Sequence, residues 1–170
     1  MSRVLGFDYE TYSETDLGKC GSYKYMEDPN FEVLLLAYAF DDEPVKQVDL
    51  AMGEPWPEEF LQALADPEVV KVAWNCAFER YATQIALGRY QPPEQYEDTM
   101  ILAAQCGLPL SLAGAGEALG LGEEQAKMKE GKALIRYFCL PCKPTKANGM
   151  RTRNTPYDSR EKWEVFKEYN

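Results

Sequence analysis

Apolar residues open the chain. Val4-Leu5-Gly6-Phe7 runs on toward Tyr9 and Thr11 and predicts a strand over 3–11. The sequence Phe-Glu-Val-Leu-Leu-Leu-Ala-Tyr-Ala-Phe at 31–40 predicts a second, longer and largely buried strand. The polar turn Asp41-Asp42-Glu43-Pro44 then returns the chain as a third strand over 45–51, an antiparallel meander. Pro57 opens a short helix through Asp66, with Phe60, Leu61 and Leu64 on its apolar side. Val-Val-Lys-Val-Ala-Trp at 69–74 is a β-branched strand that passes directly into a helix from Cys76 to about Leu87. Asp98-Thr99 are capping residues for a helix to Cys106. A Gly/Ala/Leu-rich helix follows to Leu121, and another spans Glu123 to Phe138. Strands first and helices after them predict an α/β or α+β domain on one central sheet.

The segment from Cys139 to Pro156 breaks this pattern. It is rich in Pro, Lys, Arg, Asn and Thr, has almost no apolar periodicity, and reads as a loop. Its charge changes the picture of the whole chain. The 170 residues carry a formal net charge of −10, which by itself argues against a polyanionic partner. Yet residues 127–153 hold eight Lys and Arg against one acid, Glu130, a net of +7, while residues 1–122 sum to −14. The average hides an acidic body and a basic segment suited either to tracking phosphates or to solubilising a loop.

Composition restricts the chemistry further. The chain has no histidine, which excludes Ser-His and Cys-His nucleophile pairs, His-ligated zinc and a histidine general base. Five cysteines, odd in number and mostly isolated, suit reduced thiols. Cys139-Leu140-Pro141-Cys142 is a CxxC without the second pair a structural zinc needs, and reads as two incidental thiols in a loop. No stretch approaches the ~20 apolar residues of a membrane span. The expected setting is the cytoplasm, with no membrane partner, and the length suits one domain over 1–170.

Asp8 and Glu10 stand at i and i+2 on the first strand, so both point to one face of the sheet. Like charges that close are unfavourable unless a cation lies between them, and the apolar flank Val4-Leu5-Gly6-Phe7 places them at the end of a buried strand. A second constellation, Asn75-Cys76-Ala77-Phe78-Glu79, sits where a buried strand turns into a helix. Glu79 there could instead answer the helix dipole, and Asn75 could be the N-cap.

Together these segments resemble the DEDD superfamily of 3′-5′ exonucleases, in particular the proofreading exonuclease domain of phage-type family A DNA polymerases. Asp8-Tyr9-Glu10-Thr11 is similar to the first exonuclease motif and Asn75-Cys76-Ala77-Phe78-Glu79 to the second, with Glu79 where most of the superfamily has Asp. Asp98-Thr99-Met100 resembles the segment after the second motif, and residues 138–154 with Lys162-Trp163 resemble the basic loop and following helix of the phage-type group. The resemblance implies an α/β, ribonuclease-H-like exonuclease fold: a central mixed β-sheet, its first three strands antiparallel, flanked by α-helices. It also places Tyr169 as the tyrosine of a Tyr-x-x-x-Asp helix whose acid would fall three residues beyond Asn170. The expectation is therefore a piece of a longer polymerase, truncated within the third motif and weak or inactive by itself.

The resemblance further implies two Mg²⁺ or Mn²⁺ ions, roughly 4 Å apart in such sites. Asp8 would bridge them, Glu10 would hold the one that activates water, Glu79 would support the other, and Tyr169 would orient the water. The implied partners are a single-stranded DNA 3′ end and a polymerase domain in the same longer chain. Thr11, Tyr12, Asn75 and Phe78 would flank the terminal nucleotide, and Lys143, Lys146, Arg151 and Arg153 would follow the phosphates. Two other readings keep the fold: an RNA-trimming exonuclease, and a catalytically silent scaffold domain.

Overall fold

The computed structural model of the protein describes residues 3–121 and 131–169. The strands are β1 (Val4–Tyr12), β2 (Glu32–Phe40), β3 (Lys46–Asp49), β4 (Val70–Ala73) and β5 (Tyr96–Asp98), joined in one sheet of order β3-β2-β1-β4-β5. The first strands are antiparallel, as the sequence predicts. β4 runs parallel to β1, with Val4 opposite Val70 and Gly6 opposite Val72. β5 runs parallel to β4, with Ala73 opposite Asp98. The sheet is therefore mixed. β3 stops at Asp49 rather than reaching Ala51, because the Asp49 carboxylate accepts the Met52 N–H and winds Leu50–Met52 into a 3₁₀ turn that ends on left-handed Gly53 (φ 89°).

The helices are α1 (Leu17–Met26), α2 (Glu58–Ala65), α3 (Ala77–Leu87), α4 (Thr99–Gln105), α5 (Leu112–Ala118), α6 (Gly131–Phe138) and α7 (Arg160–Tyr169). α5 ends before Leu121, with Gly120 in the left-handed region (φ 69°) closing it. Of the helix predicted from Glu123, the first part lies outside the described residues, as do Lys127 and Lys129 of the basic stretch; the described part is α6. Among the described residues no helix is long and apolar enough to cross a membrane.

By contacts the chain divides into two compact units. Of the described residues, the first unit takes 3–8, 37–46 and 57–121. Its core forms where α2 lays Phe60, Ala63 and Leu64 on the sheet, and Phe60 meets Phe7 edge-on at 5.4 Å and Tyr38 at 5.4 Å. Lys71, fully buried in β4, keeps its Nζ satisfied by donating to the Asp66 carbonyl at 2.6 Å and to Gln95 Oε1 at 2.8 Å. Burial lowers its pKa, because desolvation penalises the ammonium form.

The second unit takes 9–36, 47–56 and 131–169. Its core joins Tyr12, Leu34 and Leu35 to Leu134, Phe138, Trp163 and Phe166. Phe138 stands edge-on to Trp163 at 4.8 Å and stacks on Phe166 at 5.3 Å, which locks α6 against α7. The indole N–H of Trp163 donates to Asp49 Oδ2 at 2.7 Å in a buried pair. Trp163→Phe keeps most of the apolar contact and removes the indole hydrogen bond to Oδ2, which keeps Lys167 Nζ at 3.9 Å, so a loss of about 1–2 kcal/mol is expected. Urea unfolding checks this, and an unchanged midpoint would show that water replaces the indole.

Candidate active site

β1 carries the first constellation as the alternation predicts. Leu5, Phe7 and Tyr9 pack to one side of the strand, and Asp8 and Glu10 share the other. Asp8 is half-buried, whereas Glu10 is only 7% exposed. The thiol of Cys139, just past α6 and itself buried, donates to Glu10 Oε2 at 3.7 Å. Burial first, and the Glu10 carboxylate second, raise the Cys139 pKa well above the ordinary thiol value, so it remains a neutral donor. Nothing in the chain's periodicity signalled this contact, since the two residues are 129 positions apart.

The second constellation lies where β4 gives way to α3. Glu79, in the first turn of α3, is buried at 4% exposure, and Thr83 one turn on donates its hydroxyl to the Glu79 carbonyl at 2.7 Å. Asn75 is not the N-cap. It adopts the left-handed conformation (φ 60°), which Asn tolerates better than most residues, and its side chain is exposed. The turn that leads into α3 is held from β5 instead. Asp98 Oδ1 accepts the Asn75 N–H at 2.9 Å, and Oδ2 accepts the Cys76 N–H at 3.1 Å. Oδ1 also accepts the Met100 N–H at 2.9 Å and so caps α4. The neighbouring Thr99 hydroxyl donates to the Ala73 carbonyl at 3.1 Å. One carboxylate thus fixes the turn that aims Asn75, Phe78 and Glu79. Cys76, inside this turn, has its thiol pushed up to about 11 by burial and then by the Asp98 and Glu79 carboxylates, so it adds no charge at neutral pH.

Of the remaining predicted site residues, Thr11 is buried and its hydroxyl pairs with the Tyr25 hydroxyl at 2.9 Å. Tyr12 is 1% exposed inside the core of the second unit, and Phe78 is half-buried. Tyr169 lies at the end of α7, its ring stacked on Phe166 at 6.2 Å with an interplanar angle of 11°.

The basic loop is folded by polar bonds rather than by a core. Asn148 accepts the Thr145 N–H and donates to the Lys143 carbonyl, and Asn154 donates to the Tyr137 carbonyl at 2.9 Å. Its two arginines are engaged within this framework. Arg151 bonds Asn154 and Asp158, while Arg153 pairs with Glu32 and lies 3.9 Å above the Tyr12 ring. Lys143 and Lys146 remain exposed. Cys142 contacts the Arg151 carbonyl and the Asn148 amide, and all five cysteines are free thiols.

The donor chemistry suits a hard divalent cation. Two carboxylates are buried and a third half-buried, and the thiols nearest Glu10 and Glu79 in the described residues, Cys139 and Cys76, stay neutral. Among the described residues, no three His, Cys, Asp or Glu side chains form a ready ligand shell, so the fit rests on the kind and burial of the donors.

The chain matches no protein-family model. Over 167 residues, 98% of its length, it is 50% identical to a DNA polymerase of Bacillus phage SP02, of which it spans about a quarter (26%). Among solved structures it resembles Brucella melitensis NrnC, with a TM-score of 0.51 and 13% identity over 68% of this chain and 52% of that one. NrnC with bound Mg²⁺ gives a TM-score of 0.51 and 14% identity over 98% of this chain and 72% of that one. The fold is ribonuclease-H-like, and over nearly its whole length the chain is similar to a phage DNA polymerase.

Proposed function

We propose that these 170 residues are the 3′-5′ exonuclease domain of a phage-type DNA polymerase, hydrolysing the 3′-terminal nucleotide of single-stranded DNA during proofreading in the cytoplasm. What supports this reading is the burial of Glu10 on β1 and of Glu79 in the first turn of α3, the two places the exonuclease resemblance assigns to acids, in a chain half identical to a phage DNA polymerase. Acids withdrawn from water are costly to charge, and a bound cation would offset that cost. Asp8, Glu10 and Glu79 would hold two Mg²⁺ or Mn²⁺ ions. When bound, such ions lower the pKa of water and neutralise charge that develops on phosphate.

The chain's own residues supply the rest. Cys139 holds Glu10 in one orientation by a neutral thiol bond, and Asp98 holds the turn that carries Glu79. The phenol of Tyr169 orients the attacking water. Asn75, exposed on its left-handed turn, and Phe78, half-buried in α3, are the groups offered to the terminal nucleotide, while Thr11 and Tyr12, both buried, would act by packing. Lys143 and Lys146 are the loop cations offered to phosphates; Arg151 and Arg153, through their internal pairs, hold the loop in shape. Because the chain spans 26% of its phage relative, the activity is tested in the longer gene product to which this domain is proposed to belong.

Matched DNA and RNA oligonucleotides labelled at the 5′ end, incubated with the longer gene product and Mg²⁺, test the proposal. Stepwise shortening of DNA, faster than of RNA and stopped by chelation, is expected. Preferential shortening of RNA would move the protein to the RNA-trimming exonucleases, and no shortening of either strand would leave the silent scaffold.

A further inference from the structure

Gly131 is the first described residue of α6 and is buried, and within a helix alanine is the better former. What excludes a side chain there is the ring of Tyr169. A Cβ built on Gly131 would lie 1.9 Å from Cε2, 2.2 Å from Cδ2 and 2.5 Å from Cζ of that ring. These are ring atoms rather than the tip of a flexible chain, so the tyrosine would have to leave its rotamer. Its other neighbour resists the move. Tyr169 stacks on Phe166, and Phe166 is fully buried and stacked in turn on Phe138.

From this geometry we infer that Gly131 is a positioning residue for Tyr169: its bare Cα and the Phe166 ring form a slot that fixes the direction of the phenol. The inference rests on the exonuclease reading of Tyr169, but its packing half stands on the structure alone. The slot explains why a residue of α6, 38 positions before the tyrosine, carries no side chain. In the exonuclease, a phenol displaced by an added methyl would misplace the water it orients. Misplacement of about 1 Å is enough to cost about 10²-fold in rate.

The test is a double-mutant cycle with two readouts. Melting is followed for wild type, Gly131→Ala, Tyr169→Ala and the double variant of this chain. Exonuclease kcat and KM are measured for the same substitutions, and for Tyr169→Phe, in the longer gene product. Gly131→Ala is expected to lower the melting temperature while the ring is present and to raise it, or leave it, in the Tyr169→Ala background. It is also expected to reduce kcat by about 10²-fold with KM unchanged, and to add nothing to the loss seen with Tyr169→Ala. Additive melting shifts would overturn the slot. A coupled melting cycle with normal kcat for Gly131→Ala, beside an impaired Tyr169→Phe, would overturn the positioning role and leave the exonuclease reading intact. A wild-type enzyme without Asp8-dependent nuclease activity would overturn the exonuclease reading and the positioning role with it, whatever the melting cycle shows.

Discussion

Asp8→Asn is expected to make the metal-free protein melt at a higher temperature than wild type while reducing exonuclease activity by about 10³-fold, the rate equivalent of several kcal/mol of charge stabilisation. The two effects have one origin. Asp8 and Glu10 project from the same face of β1, and Glu10 is almost wholly withdrawn from water. Like charges this close on one face repel, and removing one of them is expected to relieve the folded state. With a cation the balance reverses: wild type gains stability in proportion to RT ln(1 + [M]/Kd), and the variant gains little. The measurement is thermal melting of both proteins across a Mn²⁺ titration, with nuclease rates on single-stranded DNA alongside. Equal upward shifts in both proteins would show that Asp8 is not a ligand. A lower metal-free melting temperature in the variant would show that Asp8 is held by bonds within the protein and not kept in reserve for a cation.

Such effects were readable from the sequence because they depend on local periodicity. A strand alternates, so Asp8-Tyr9-Glu10 states which side chains share a face, and Val69–Trp74 running into Cys76 states where a helix must begin. Elements held by distant partners gave no such signal. α1 was not foreseen: its sequence is interrupted by Gly18 and by Gly21, whose φ of 78° breaks the helix, and only Tyr25 and Met26 are buried. β5 has three residues, none of them buried, and becomes a strand only by pairing with β4. The basic loop is a sharper case. Charge counting placed Arg151 and Arg153 in a basic stretch suited to phosphates, but it gave no sign that Asp158, Glu32 and the Tyr12 ring engage them, two of those partners lying over a hundred residues away. Gly131 likewise looks like an ordinary weak helix residue until the Tyr169 ring is seen against it.

Asp98 marks the boundary between the two kinds of legibility, and its replacement should have the largest effect on stability. The sequence identified it as the cap of α4, which alone is worth about 1 kcal/mol. The structure adds the Asn75 and Cys76 N–H groups, so Asp98→Ala strands three backbone donors at the starts of two helices. A loss of about 2–4 kcal/mol is expected, less than three isolated charge-assisted bonds would sum to, because Asn75 is exposed and water can replace part of the lost contact. Asp98→Asn should fall between. Its single oxygen can still serve Asn75 and Met100, but its amide N–H₂ would face the Cys76 N–H, donor against donor. The same order should appear in Mn²⁺ affinity at temperatures where all three proteins are folded, because the loosened turn carries Glu79 in the first turn of α3. Urea unfolding and a Mn²⁺ titration of the three proteins decide it. A change under about 0.5 kcal/mol for Asp98→Ala, the range of an ordinary surface substitution, would mean that the strand-to-helix turn holds its shape without the carboxylate. A full loss of stability with unchanged Mn²⁺ affinity would separate the cap from the site and leave Glu79 positioned by α3 alone.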